Sequence, residues 1–214
     1  MTHLWNKRVA TGVILDVSVR RELILILCLT AAIADATNVS EQFARKLVAA
    51  AVERTHHQVR YISDYVRIPY PGGDVPADTG VCTDEIIRIY RAVGIDLQKE
   101  VHEDMVRNFA AYPHKWQQHP DSNIDHRRVP NLMTFFSREG TSLPITRYTT
   151  KYLPGDIVAW DLGSGITHIG ILVDRKGLSG VYMVVHNIGR GPQMEDVLFD
   201  WKIIGHYRYY GPRT

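Results

Sequence analysis

Cysteine is nearly absent from this chain of 214 residues, which contains only Cys28 and Cys82. Such a low cysteine content excludes a disulfide framework as the basis of the fold. Long apolar runs are also missing, because the run at residues 23–34 is too short to cross a bilayer comfortably as a helix. The chain has no internal repeat, and its formal charge of +2 is spread out, so nucleic acid is not an expected partner.

The first 36 residues are predicted to be a secretory signal peptide. Arg20 and Arg21 precede the apolar run, and the small residues Ala34 and Ala36 end it. A basic start, a short apolar middle and a small-x-small end are typical of a cleaved signal, although a buried N-terminal helix is the alternative. We therefore expect an exported protein, periplasmic or secreted, with no membrane span after cleavage.

Residues 37–214 are predicted to form one α+β domain, since 45% hydrophobic and 22% charged residues suit a single globular core. Helical spacing of apolar residues comes first, and β-rich runs with short turns come last, which favours helices packed on an antiparallel meander. The predicted helices are 40–57, 82–94, 97–109 and 131–137, and the predicted strands are 156–160, 168–173, 181–186 and 203–210.

Cys82 is the only cysteine in the predicted mature chain, and it lies where a Pro/Gly-rich loop becomes a helix. A helix N-terminus offers unpaired N–H groups and a partial positive charge, which favour a thiolate. The pattern therefore predicts a lowered thiol pKa and a reactive nucleophile. The alternative is a buried cysteine that packs in the core.

Two histidines on neighbouring predicted strands are candidate partners for this thiol. His168 opens one strand and is the best-placed base, while Gly170 leaves space beside it. His186 ends the next strand and is predicted to orient the base, with Asn187 as the alternative orienter. A structural histidine on an apolar strand is the competing interpretation.

Other polar residues give weaker signals. Asp84 and Asp161 are candidate substrate contacts, although helix-dipole complementation and ordinary surface charge explain them equally well. One segment is rich in potential metal ligands, but its spacing matches no zinc signature and surface loops explain it more simply. We expect neither a metal nor an organic cofactor. The segment contains His114, His119, Asp121, Asp125 and His126.

Four motifs together resemble the NlpC-type cell-wall peptidases, which are bacterial cysteine peptidases of papain-like fold. In finer detail, residues 70–76, 81–84, 160–163 and 205–209 resemble the bacterial domain-of-unknown-function family 1287. The chain departs from the NlpC pattern beside the nucleophile, where Val81 replaces an aspartate and Thr83-Asp84 replace Ser-Gly. The NlpC-like motifs are Gly-Val-Cys-Thr-Asp at 80–84, Leu-Pro-Gly-Asp at 153–156, His-Ile-Gly-Ile at 168–171 and Val-His at 185–186.

The resemblance implies a papain-like fold with Cys82 as nucleophile, His168 as base and His186 as third residue. Tyr70 matches a substrate-lining tyrosine, and the loop at residues 67–80 is expected to form one wall of the cleft. The implied protein is a monomeric amidase or endopeptidase that cleaves an amide bond in peptidoglycan or another cell-envelope peptide. An acyltransferase or deacylase on the same triad, and a catalytically inactive cell-envelope binding module, are the alternatives.

Overall fold

The computed structural model describes residues 40–115 and 118–212. The predicted signal peptide and Cys28 lie outside these residues. Within them, no helix combines the length and the apolar character that a bilayer crossing needs.

The described residues form helices followed by a sheet, which confirms the predicted α+β class. The helices are α1 (40–54), α2 (Cys82–Ala92), α3 (Leu97–Asn108) and α4 (Val129–Glu139), with short 3₁₀ turns at Phe109–Ala111, Asp125–Arg127 and Thr149–Lys151. The strands are β1 (Arg60–Tyr61), β2 (Thr79–Gly80), β3 (Thr141–Ser142), β4 (Ile157–Asp161), β5 (Thr167–Lys176), β6 (Tyr182–Asn187), β7 (Pro192–Glu195) and β8 (Lys202–Arg208).

The main sheet is antiparallel and has the strand order β3-β8-β4-β5-β6-β7. Strands β4, β5 and β6 confirm the first three strands of the predicted meander, which β7, a strand that was not predicted, extends. The last predicted strand is present as β8, but its expected position after β6 is wrong. Instead of continuing the meander, β8 returns to the far side of β4, where Val158 lies opposite His206. Strands β1 and β2 form a separate two-stranded parallel pair.

Apolar side chains fill both faces of the sheet. Odd-numbered residues of β4 and β5, such as Ala159 and Ile169, pack with helices α1 to α4 in the larger core. Even-numbered residues, such as Val158 and Leu172, pack in a smaller core against Tyr152 and the segment before β8. This alternation is the period of two expected for strands that are covered on both faces.

Helix α2 is buried from Cys82 to Tyr90 even though it carries charged side chains. Buried charges require partners, and each of these is paired with a different part of the chain. The pairs are Asp84–Arg127 at 2.8 Å, Glu85–Arg54 at 2.7 Å and Arg88–Asp74 at 2.9 Å. These contacts connect α2 to the Asp125–Arg127 turn, to α1 and to the loop before β2.

Asp156 plays a similar role at the start of β4. Its carboxylate is fully buried and accepts hydrogen bonds from the Arg208 guanidinium at 2.7 and 3.0 Å. The Nε2 atom of His206 lies 2.9 Å from the same carboxylate, and the Leu153 N–H donates to it at 2.8 Å. Asp156, at the end of the Pro-Gly-Asp segment that leads into β4, therefore links β4 to β8 by an ion pair in addition to the backbone hydrogen bonds of the sheet.

Replacing Asp156 with Asn should lower the free energy of unfolding by about 3 kcal/mol, because the partly buried Arg208 guanidinium loses the buried negative charge with which it pairs. Urea denaturation followed by circular dichroism measures this change. Asp78→Asn is the matched control, since Asp78 pairs with Arg60 at 2.8 Å on the surface. That pair should contribute less than about 1 kcal/mol. An equal loss of unfolding free energy in the two variants would contradict the stabilising role given to Asp156.

Candidate active site

The short β1–β2 pair positions Cys82. Strand β2 leads through Val81 directly into α2, and Tyr61 lies opposite Gly80 in the parallel register. Cys82 is only 4% exposed, and its thiol lies near the Tyr61 hydroxyl and near two backbone N–H groups, those of Ile169 and Thr83. The nucleophile candidate thus contacts β1, α2 and β5 at once.

Burial raises the pKa of the Cys82 thiol to about 11. Desolvation is the largest cause, and the nearby Asp84 carboxylate adds to it, while the Ile169 N–H and Tyr61 hydroxyl oppose it. The predicted lowering of this pKa is therefore wrong for the structure as it stands. The partial charge of the helix N-terminus does not compensate for the loss of water around the thiol.

His168 and His186 are hydrogen-bonded to each other, with 2.8 Å between His168 Nε2 and His186 Nδ1. Both rings are buried, and the Trp201 ring packs edge-on against them at 6.1 and 6.0 Å. The Trp160 ring stacks on His168 at 5.8 Å. Of the two predicted orienters, His186 is the one in contact with His168, while the Asn187 side chain accepts the Gly189 N–H instead.

Gly170 provides the room for this histidine pair. A Cβ atom at Gly170 would lie 2.6 Å from Val184 Cγ1, 3.0 Å from the Val185 carbonyl oxygen and 3.1 Å from His186 Cβ. The first distance is far shorter than van der Waals contact, and the other two are tight. Only glycine therefore lets β6 approach β5 closely enough at this point.

The thiol lies close to the beginning of β5, the strand that carries His168. The thiol lies against the backbone amide of Ile169, which directly follows His168 in the chain. Among the described contacts, the imidazole is bonded to His186 and not to the thiol. Burial, followed by the charge of His186, lowers the pKa of His168 to about 3, so this imidazole is neutral at physiological pH. A neutral imidazole is the form that can accept a proton.

A cleft of about 230 Å³ opens beside Cys82. Besides Cys82 and its two chain neighbours, it is lined by Tyr61, Ser63, Arg127 to Pro130 and Thr167. The expected wall from residues 67–80 is therefore a wrong prediction. That loop packs instead on α2 and α3, where the Gly73 N–H donates to Gln98 at 2.8 Å.

Asp84 is brought close to Cys82, but its carboxylate is occupied. It accepts the Val81 N–H at 2.7 Å and binds the Arg127 guanidinium at 2.8 and 3.1 Å, with only 2% of the residue exposed. This arrangement supports a structural role at the start of α2, and it leaves the predicted substrate contact without a free oxygen.

Tyr70 lies apart from the cleft that Cys82 lines. Its hydroxyl lies 3.5 Å from Glu103, and its ring packs edge-on against His102 at 5.1 Å. The tyrosine beside the thiol is Tyr61, which the sequence analysis did not select. Desolvation, and next the proximity of Cys82, raise the pKa of the Tyr61 hydroxyl.

Asp161 ends β4 opposite Thr167, which lines the cleft. Its carboxylate accepts the Gly163 N–H at 2.9 Å and thereby shapes the turn between β4 and β5. The structure thus gives Asp161 a turn contact close to the cleft, and its proposed contact with substrate remains a prediction.

Residues 48–209 match the family described as "Domain of unknown function (DUF1287)". The chain belongs to this family. It is also 54% identical over 151 residues to "Uncharacterized protein YijF" of Escherichia coli (strain K12), a match that covers 70% of this chain and 74% of that protein. Among solved structures, "Structure of NlpC1 from Trichomonas vaginalis" is similar at 16% identity and a TM-score of 0.40. That match covers 75% of this DUF1287 chain and 42% of the NlpC1 chain.

Glu195 is a second residue of this DUF1287 site that sequence reasoning missed. It ends β7, and its Oε2 atom lies 2.9 Å from His186 Nε2. The available signal was the turn Gly189-Arg190-Gly191, followed by a run in which polar and apolar residues alternate. This run is only four residues long and starts with proline, which weakens its strand signal.

Among residues 40–115 and 118–212, no cluster of three or more histidine, cysteine or acidic residues could hold a metal ion. Asp125 and His126, expected on a surface loop, are instead buried. Asp125 accepts the Asp121 N–H at 2.9 Å and lies 2.8 Å from His102 Nδ1, so it stabilises this part of the fold.

Alkylation of Cys82 by iodoacetamide should be slow at pH 7 and should accelerate about tenfold per pH unit up to about pH 10. A pKa near 11 instead of the ordinary 9.0 makes the thiolate about 100-fold scarcer at neutral pH. Mass spectrometry of the Cys82 peptide measures the rate separately from Cys28. N-acetylcysteine is the reference thiol, and a rate for Cys82 that levels off below pH 8 would contradict the raised pKa.

Gly170→Ala should destabilise the fold by about 1–3 kcal/mol, because the added methyl group overlaps Val184 and the Val185 carbonyl. It should also disturb the His168–His186 hydrogen bond, visible as altered imidazole signals in NMR spectra. Gly163→Ala is the control, since its added methyl meets no atom within 4 Å although its φ of +105° introduces some backbone strain. Unchanged imidazole signals in Gly170→Ala would contradict the idea that Gly170 provides the room for the histidine pair.

Proposed function

We propose that this protein is a cysteine hydrolase in which Cys82 is the nucleophile, His168 the base and His186 the residue that orients the base. The observation that carries the proposal is the buried 2.8 Å bond between the two histidines, directly beside the strand position against which the thiol lies. A thiol at a helix start, a neutral imidazole and an orienting partner are the groups that nucleophilic acyl transfer requires.

The reaction begins with a protonated thiol and a neutral imidazole. Because His186 occupies His168 Nε2, the nitrogen that remains to accept the thiol proton is Nδ1. The sulfur then forms a bond to the substrate carbonyl carbon. His168 returns the proton to the leaving amine, the C–N bond breaks, and water hydrolyses the resulting thioester to free the thiol and a carboxylate.

The oxyanion would be stabilised at the start of α2. The Cys82 backbone N–H lies near the Tyr61 hydroxyl, and the Thr83 N–H lies near the thiol. In the proposed reaction, the substrate oxygen takes the place of the Tyr61 hydroxyl on the Cys82 N–H, and the hydroxyl turns to donate to it. Such donors act strongly because the site excludes water.

The proposed substrate is a peptide amide of peptidoglycan or of another cell-envelope polymer. Support comes from the sequence motifs shared with NlpC-type peptidases and from the predicted signal peptide, which would place the enzyme in the periplasm or outside the cell. In this proposal the scissile part of the peptide enters the cleft of about 230 Å³ that Cys82 lines.

One observation favours a second candidate, an inactive cell-envelope binding module. The thiol is buried, has a raised pKa, and its described hydrogen-bond partners are Tyr61 and backbone amides instead of His168. Such a cysteine resembles a core residue as much as a nucleophile.

Incubation of the protein with purified peptidoglycan, followed by mass spectrometry of the soluble products, tests the proposal. The full chain should release fragments with new amino and carboxyl groups. Cys82→Ala should release none, and His168→Gln should lower the rate by at least about 1,000-fold, because the nucleophile or its base is lost. The surface variant Glu53→Gln is the control and should keep full activity.

Equal product release by Cys82→Ala and the unaltered protein would overturn the hydrolase proposal. Binding of peptidoglycan by both proteins, without any new chemical groups, would support the inactive module instead. If the unaltered protein cleaves a simple acyl ester, Cys82→Ala does not, and peptidoglycan stays intact, then Cys82 remains the proposed nucleophile. Peptidoglycan is then rejected as the substrate.

A further inference from the structure

Glu195 extends the histidine pair by one more residue. Its Oε2 atom lies 2.9 Å from the buried His186 Nε2, and its Oε1 atom lies 3.1 Å from the exposed Arg190 guanidinium. The geometry at His186 Nε2 departs from that of a linear hydrogen bond, so this contact acts mainly through the negative charge of the carboxylate. At 2.9 Å, the negative charge of Glu195 still acts on the His186 imidazole.

The proton positions along this chain of contacts depend on one another. Burial lowers the pKa of both imidazoles, so each ring carries a single proton at neutral pH. In the bond between His168 Nε2 and His186 Nδ1, one nitrogen donates and the other accepts. Two arrangements of the protons are therefore possible, and the atoms alone do not distinguish them.

Glu195 distinguishes the two arrangements. If His186 Nδ1 carried the proton, the bare His186 Nε2 would face a carboxylate oxygen at 2.9 Å, and two lone pairs would repel each other. If His186 Nε2 carries the proton, it faces the carboxylate favourably, and Nδ1 accepts the proton of His168 Nε2. The Nδ1 atom of His168 is then bare, which is the form needed to accept the thiol proton.

We propose that Glu195 is a positioning residue that sets the tautomers of His186 and His168 and so keeps His168 Nδ1 in its basic form. The effect of Glu195 on catalysis rests on the proposed function. The tautomers themselves are a property of the resting protein and can be measured without any reaction. A carboxylate that orients a histidine is a recurrent arrangement in sites where the histidine has to keep one nitrogen free.

The surrounding charges are compatible with this role. Arg190 holds the second carboxylate oxygen from the solvent side, and it is itself largely exposed. From α2, the only acidic group beside the thiol is Asp84, whose charge is taken up by Arg127. When His168 accepts the thiol proton, Glu195 is therefore the nearest described carboxylate contact of the histidine pair, and it stabilises the positive charge through His186.

Nitrogen NMR of the full-length protein, labelled with ¹⁵N-histidine, tests the proposal directly. At pH 7 both His168 and His186 should carry their protons on Nε2, with bare Nδ1 atoms; His168→Gln and His186→Gln provide the assignments. In Glu195→Ala, a measurable fraction of both rings should shift to the Nδ1-protonated form. In Glu195→Gln, the side-chain amide oxygen can still accept a hydrogen bond from His186 Nε2–H, so the original tautomers should largely return.

Glu53→Gln removes one carboxylate from the surface of α1 and should leave both tautomers unchanged. An Nδ1-protonated His168 in the unaltered protein would overturn the proposal without any variant, so a folding defect in Glu195→Ala cannot leave the question open. Identical histidine spectra in the unaltered protein and a folded Glu195→Ala variant would overturn it as well.

A catalytic readout separates this proposal from the proposed function. If the protein hydrolyses peptidoglycan, Glu195→Ala should lower kcat about 10- to 100-fold with little change in KM, because the base and not substrate binding is affected. Glu195→Gln should recover part of the loss. If the expected tautomers are found but no hydrolysis occurs, the hydrolase proposal fails while the role of Glu195 stands.

Discussion

The burial of helix α2 is the constraint on which the rest of the structure depends. A helix that carries charged side chains can be buried only if each charge meets a partner, because an unpaired charge in the core costs several kcal/mol. Those partners come from α1, from the loop before β2 and from the Asp125–Arg127 turn. The pairs therefore fix the segments that surround the start of the helix. The position of Cys82 follows from this packing.

The same burial sets the chemistry of the site. It raises the pKa of the Cys82 thiol to about 11 and lowers that of His168 to about 3, so both groups are uncharged at neutral pH. A preformed thiolate–imidazolium pair is disfavoured in this environment. In the proposed reaction the proton therefore moves as the sulfur attacks, and the resting thiol is protected from unwanted alkylation and oxidation.

The histidine pair shows how a close approach of two strands serves a site. Gly170 removes the side chain that would separate β5 from β6, and Trp201 covers the rings from the side. Because water is excluded, the bond between His168 and His186 is strengthened, and the nearby Glu195 carboxylate acts through a medium of low polarity. Three adjacent strands, β5, β6 and β7, thus supply His168, His186 and Glu195, which contact one another in that order.

The sequence by itself determined the helices, most strands, and the selection of Cys82, His168 and His186, because helix starts and strand periodicity are local properties that a short segment displays. The tertiary structure alone decided that β8 lies beside β4, that Tyr61 and not Tyr70 adjoins the thiol, and that the Asp84 carboxylate is already bound. It also reversed the expected direction of the thiol pKa. Strand order, long-range contacts and desolvation depend on which distant segments pack together, and no local pattern records that packing.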